Sequence, residues 1–375
     1  MESVLVPEQR EGEVVGRDGA APADHSHTGP STLRAATAPC SPPRPQRPML
    51  RPRPQRIALR TADDYPITGL RYSPSGTVSA NVVVAGAVGV PQRFYRRFAE
   101  AAVANGFAIL TLDYRGIGLS APQSLKNFHM DYFDWGRFDL AAGLAAMAHA
   151  DVPLYVVGHS FGGHHFGLLP NSRCVNAFYT FGTGSGWHGW MPRLERIRVL
   201  ALWHLLGPVL TRWMGYLPWS LLRMGEDLPL AFYRRWKHWC AYPDYFLNDP
   251  SVQHIVRGFR RVHAPLMAAN SIDDRWALPA SRDAFIVAYA NAQRETLDID
   301  PSKLGMPVIG HMGYFNRHAI PLWESAFAWL ASFRDRRCGR VHDTAVEAAQ
   351  AAVAGETAKP RHRWLARLAA SGFGT

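Results

Sequence analysis

Pro153-Leu154-Tyr155-Val156-Val157-Gly158-His159-Ser160-Phe161-Gly162-Gly163 is the stretch that decides the fold. An apolar, β-branched run reads as a buried strand, and it ends in G-x-S-x-G, the pattern of a nucleophile elbow. Such a turn needs small neighbours, because a Cβ at Gly158 or Gly162 would crowd a serine held in a strained conformation. The apolar segment from Phe161 onward is expected to be a helix whose N-terminal N–H groups face the serine, where negative charge would develop on a substrate oxygen.

Working outward, strand-like and helix-like segments alternate. Asn81–Gly86 and Phe107–Tyr114 read as strands, as do a run around Val175–Thr180 and Ala264–Asn270. Between and after them, Gln92–Asn105, Asp131–His149, Pro279–Asn291 and Ala319–Arg334 carry helical patterns. Near-continuous apolar strands separated by amphipathic helices predict an α/β fold, with a mostly parallel sheet covered by helices on both faces. Reactive groups in such sheets gather at the carboxyl ends of the strands.

The alternation stops after Gly186. Residues 187–246 hold Trp187, Trp190, Trp203, Trp213, Trp219, Trp236 and Trp239, more than half of the chain's 12 tryptophans. An insertion over about 187–258 is therefore expected to form a helical cap. Most of its aromatics would pack the cap onto the body, and a minority would line an apolar cleft beneath it.

A serine hydroxyl needs a base and an orienting carboxylate, which in this architecture follow in the order Ser, acid, His. Asp273-Asp274 ends a late strand; Asp274 is the preferred acid, at the turn toward Pro279, with Asp273 the alternative. His311, between Gly310 and Gly313 ahead of the last helix, is the expected base. His254 and His263 precede the acid and break the order. The oxyanion donors are expected to be the N–H of Phe161 and that of Ala87, with Val88 the alternative. Adjacent His164-His165 diverge on a helix and have no spaced carboxylate or cysteine partner, so no metal and no cofactor is expected.

DYRGIGLS (Asp113 to Ser120), GHSFGG (Gly158 to Gly163), SIDD (Ser271 to Asp274) and GHMG (Gly310 to Gly313) together resemble the α/β-hydrolase superfamily. The similarity is greatest to its serine aminopeptidase-like branch, which includes lysophospholipase- and monoacylglycerol lipase-like enzymes, and it spans about residues 57–336. Ser160, Asp274 and His311 match the triad positions. Asp113 and Arg115 match residues that organise the loop near the site. Where many relatives carry His-Gly after the first strand, this chain reads Ala85-Gly86, a departure that bears on Ala87. The resemblance implies a serine hydrolase acting on an ester with an apolar acyl or alkyl group. Amidase, thioesterase, acyltransferase, C–C hydrolase and non-catalytic ligand binding are the alternatives on one scaffold.

Of the 375 residues, 47% are hydrophobic and 19% charged, enough for one large domain with extensions. The net charge of +11 is spread thinly, with no basic block in the folded part, which reads as a solvated surface and not a nucleic-acid face. Cys40, Cys174, Cys240 and Cys338 form no C-x-x-C pair, so a reducing, cytoplasmic setting is expected. Pro7, Glu8 and Arg10 interrupt any apolar signal sequence. The most apolar segment, Val199–Leu222, is broken by Arg212 and bounded by Arg198 and Arg223, too short to span a bilayer. Those arginines beside apolar helices fit a cap that touches an anionic lipid surface.

Residues 1–56 are Pro/Arg-rich without periodic apolar pattern and are expected to be a disordered extension; residues 337–375 form an Ala-rich tail. Met49 offers an alternative start. A polypeptide beginning at Met49 is expected to keep its activity and a thermal midpoint within about 2 °C of the full chain. A large drop measured by thermal denaturation would show that the leader packs on the body.

Overall fold

The computed structural model describes residues 53–336. The leader to residue 52 and the tail from residue 337, with Met49, Cys40 and Cys338, lie outside the described residues. Eight strands build one sheet: β1 (Gln55–Arg60), β2 (Pro66–Tyr72), β3 (Ala80–Ala85), β4 (Phe107–Asp113), β5 (Leu154–His159), β6 (Ala177–Phe181), β7 (Leu266–Ser271) and β8 (Arg294–Ile299). Their spatial order is β1-β2-β4-β3-β5-β6-β7-β8. Pairings involving β2 are antiparallel and all others parallel.

The central strands are apolar on both faces because both are covered. Val83 and Val156 join the core on the side of helix α2 (Ala141–Met147), while Val82, Val84, Tyr155 and Val157 face the other side. There, α1 (Arg96–Ala104) and the last helix, Ile320–Ala331, cover them. Alternate residues of a strand point to opposite faces, so one Val-rich run feeds two cores.

Several expected elements are displaced or differently wound. The segment after Ser160 is a tight 3₁₀ helix over Ser160–Leu168 and not an α-helix. A Cβ at Gly162 would overlap the Ala85 carbonyl, and one at Gly167 would overlap the Phe259 ring. Only an unsubstituted backbone can lie this close to β3 and to the Arg257–Arg261 turn ahead of β7. The helix expected from Asp131 starts later, with a π turn over Trp135–Leu140 running into α2. Asp131 and Asp134 instead close a turn with side-chain bonds to the N–H groups of Phe133 and Asp131.

The β1–β2 hairpin begins inside the expected leader, at Gln55 rather than after Arg56. Edge strand β8 was not expected, and the segment from Pro307 to Ile309 is not a strand. His311 therefore sits on a loop between β8 and the last helix.

Residues between β6 and β7 form the cap. It contains α3 (Arg193–Ala201), a π turn (Leu202–Leu206), α4 (Gly207–Met214), α5 (Leu230–Trp239) and α6 (Gln253–Val256). Trp203, Trp219 and Trp236 pack on one another, with Trp203 and Trp236 at 4.9 Å between ring centroids. Trp239 packs against Tyr132 and Phe133 of the body. The remaining helices are α7 (Pro279–Ile286) and α8 (Ile320–Ala331). Among the described residues no helix is long and apolar enough to cross a membrane.

Candidate active site

β5 delivers Ser160 to the carboxyl edge of the sheet with φ = +52°, in the left-handed region that a non-glycine residue occupies only under constraint. The constraint is visible. A Cβ at Gly158 would lie 2.8 Å from the Gly163 nitrogen, and the Thr183 hydroxyl donates to the Ser160 carbonyl at 2.7 Å.

Ser160 Oγ lies 2.8 Å from His311 Nε2, and His311 Nδ1 lies 3.0 and 2.9 Å from the two oxygens of Asp274. A carboxylate only accepts, so Nδ1 carries the proton and Nε2 is left to accept the serine O–H. Asp274 is completely buried. Burial opposes its charge. His311, the Tyr314 hydroxyl at 2.9 Å and the Trp276 N–H at 3.0 Å outweigh burial and hold the carboxyl below the usual carboxylate range. The Ala277 N–H also donates to it, at 3.1 Å.

Asp273, the alternative acid, faces elsewhere. Its oxygens accept the N–H groups of Ile309 and Gly310, each at 2.9 Å, and the Ser271 hydroxyl at 2.7 Å. It ties the end of β7 to the backbone just before His311. The two adjacent carboxylates thus divide the work: one contacts the imidazole and the other positions the loop that carries it.

The expected oxyanion donor Ala87 is corrected. Its N–H donates to the Tyr95 hydroxyl at 2.8 Å, so it is already committed. Val88, the alternative, lines the cleft with Ser160 and Phe161, and its N–H makes no hydrogen bond among the described residues. Phe161 follows the serine at the mouth of the 3₁₀ turn.

A buried relay that the sequence reading missed connects these loops. His159 Nε2 lies 2.9 Å from the His311 carbonyl, and its Nδ1 lies 3.0 Å from the Tyr95 hydroxyl. The carbonyl can only accept, so Nε2 carries the proton and Nδ1 accepts from Tyr95, which in turn accepts from Ala87. Burial, with His311 nearby, pushes the His159 pKa down to about 3. The available signal was a histidine placed immediately before the serine of the elbow.

His164 and His165 diverge, bonding the Gly184 carbonyl and the Tyr114 hydroxyl. No cluster of metal-ligating side chains occurs among the described residues. Asp113 and Arg115 organise the neighbouring loops. Asp113 accepts from the Gln92 and Leu119 N–H groups, and Arg115 joins Asp63 to Asp139.

The cleft over Ser160 encloses about 40 Å³ and is bordered by Val88, Phe161, Trp236, Tyr245, Trp276 and His311. It is apolar, as expected of the cap, but far below the roughly 300–1,000 Å³ of a drug-sized site. Of the cap tryptophans only Trp236 reaches it; Trp276, beside His311, comes from the loop after β7.

This sheet order, cap and site geometry define the class: the chain has the α/β-hydrolase fold. Its sequence matches the serine aminopeptidase S33 family over residues 76–171. Among similar solved structures are a hypothetical protein from Pseudomonas aeruginosa and DcsB, solved with a substrate analogue. The first is 14% identical, covering 76% of this chain and 94% of that one, with a TM-score of 0.51. The second is 13% identical, covering 76% and 99%, with a TM-score of 0.50. No curated protein matches the chain by sequence.

The two aspartates should separate in kinetics. Asp274→Asn is expected to lower kcat by about 10⁴-fold, since the imidazole loses the partner that fixes its tautomer. Asp273→Asn should cost roughly 10- to 100-fold by loosening the His311 loop. Equal losses for the two, measured on one ester, would contradict this division.

His159 also predicts a pH effect on stability. It is neutral when folded, whereas the unfolded chain protonates it below about pH 6.5. Stability is therefore lost as pH falls from there toward 3, by up to about 1.4 kcal/mol per unit. The buried carboxyls of Asp134 and Asp139, pushed up by burial, act in the opposite sense. The histidine's share is read as the difference in slope between wild type and His159→Gln in urea unfolding from pH 7 to 4; identical slopes would refute it.

Proposed function

We propose that the protein is a serine hydrolase that cleaves a carboxylic ester bearing a small or linear apolar acyl group through an acyl-enzyme. The observation that carries this reading is the unbroken line from Ser160 Oγ through the His311 ring to a fully buried Asp274. A serine O–H aimed at a neutral imidazole nitrogen is a nucleophile beside its base.

In the mechanism this supports, Ser160 Oγ attacks the ester carbonyl as its proton passes to His311 Nε2. Asp274 stabilises the imidazolium. The tetrahedral oxyanion lies between the N–H groups of Phe161 and Val88. As the C–O bond to the leaving group breaks, Nε2 returns the proton to the departing alcohol. A water then gives its proton to Nε2 while its oxygen attacks the acyl carbon. Collapse releases the acid and restores the Ser160 hydroxyl.

The cleft walls favour an apolar group and its size sets a limit. Each methylene buried adds about 0.8 kcal/mol, close to fourfold in kcat/KM. At about 40 Å³ the cleft has space for about three waters. Chains of six or eight carbons exceed that volume, so the gain per methylene is expected to level off beyond butyryl.

A fluorophosphonate probe is expected to label the protein, and Ser160→Ala to abolish both labelling and ester turnover. In a series of p-nitrophenyl esters, kcat/KM should rise from acetyl to butyryl. Highest activity on acetate with a steady fall would refute the apolar-acyl reading. Labelling that survives Ser160→Ala would refute the nucleophile. Turnover confined to amides or thioesters, or none with an inert Ser160, would favour the other chemistries or a binding role.

A further inference from the structure

α3, the π turn and α4 run without a break from Arg193 to Met214 and present two apolar faces where a surface helix normally has one. The inner face, with Val199, Leu202 and Trp203, is buried in the cap core. The outer face carries Leu194, Ile197, Ala201, Leu205, Val209 and Trp213, spaced by three and four residues and all open to solvent. Trp213 is 80% exposed and Leu205 68%. Half of the exposed large apolar side chains among the described residues lie between Leu194 and Met224. An apolar stripe this long on a solvent face marks a docking surface.

We propose that this face docks on an anionic lipid bilayer, and so presents the cleft to membrane-borne esters; the second clause rests on the ester-hydrolase reading. Charge decides the occupant. Arg193, Arg196, Arg198, Arg212 and Arg223 are exposed around the stripe. The nearby acids are engaged within the protein: Glu195 with the Trp276 indole N–H and with Arg198 at 3.6 Å, Glu226 with Arg93, and Asp227 with Ser220, which leaves Arg193, Arg196, Arg212 and Arg223 without an acidic partner among the described residues. A second copy placed face to face would oppose arginine to arginine, whereas lipid phosphates would complement them. Long arginine stems and an exposed indole suit the boundary between headgroup and acyl chain. The helix is also tied to the site, since Trp276, bonded to Glu195 at 3.0 Å, stacks beside His311.

The test is vesicle co-sedimentation of the full chain carrying Ser160→Ala, so that binding is read apart from catalysis. Binding is expected to vesicles of equal parts phosphatidylglycerol and phosphatidylcholine, and to be about tenfold weaker on phosphatidylcholine alone. Ile197→Glu with Trp213→Glu should lower binding at least as much. In an otherwise wild-type chain, the same pair should leave turnover of a soluble short ester unchanged. This pair separates the stripe from basic residues elsewhere in the chain. Unchanged vesicle binding in the pair, equal binding to neutral vesicles, or no binding would overturn the proposal. So would a dimer in sedimentation velocity without lipid that the pair dissociates, which would make a second copy the occupant. Loss of ester turnover on Ser160→Ala bears only on the function, and loss of vesicle binding only on the surface.

Discussion

The close approach of the elbow backbone to β3 is the constraint on which the rest of the site depends. Gly162 sits against the Ala85 carbonyl with no space for a methyl group, and Gly158 packs on the Gly163 nitrogen. These contacts hold Ser160 in a left-handed conformation that costs of order 1–3 kcal/mol when unsupported. The result is a hydroxyl presented at the sheet edge while its carbonyl is fixed by Thr183.

Around that point, buried polar groups are used in pairs, each member with one task. Asp274 holds the imidazole and Asp273 holds the loop behind it. Ala87 and Val88 are adjacent amides: the first is committed to Tyr95, and the second makes no hydrogen bond among the described residues. His159 fixes the His311 backbone while remaining neutral. The Ala87–Tyr95–His159–His311 chain links the loop after β3, the elbow and the His311 loop through satisfied hydrogen bonds in a dry interior, where each is stronger than in water. Such a network resists reorganisation as charge develops, which is the property that electrostatic catalysis requires.

This pattern explains what could and could not be read from the sequence. Ser160, Asp274 and His311 each follow a strand or precede a helix in a fixed order, so local signals were enough to nominate them. The choice between neighbours was less legible. Asp274 was preferred over Asp273 through its spacing to Pro279, but Asp273's bonds to Ile309 and Gly310 come from a loop more than thirty residues away. The Ala87 N–H is taken up by the Tyr95 hydroxyl, a contact that no motif encodes. The β1–β2 hairpin and β8 escaped notice for a different reason. They lie at the sheet margins, where one side is open and the residues are mixed with charges, as in Arg294-Glu295-Thr296-Leu297-Asp298-Ile299.

The cap shows the same limit at a larger scale. Its tryptophan count signalled an apolar enclosure, yet composition alone could not divide those side chains among core, cleft and surface. Trp203 and Trp219 are buried against each other, Trp236 reaches the cleft, and Trp213 stands in solvent. Helical spacing makes the division. From Leu194 to Trp213 the exposed apolar positions recur at three and four residues, and the buried set falls between them. A helix apolar on two sides must satisfy two environments, and the protein body supplies only one. One element thus packs Val199, Leu202 and Trp203 into the cap core on its inner side and leaves an apolar, arginine-flanked face on the other.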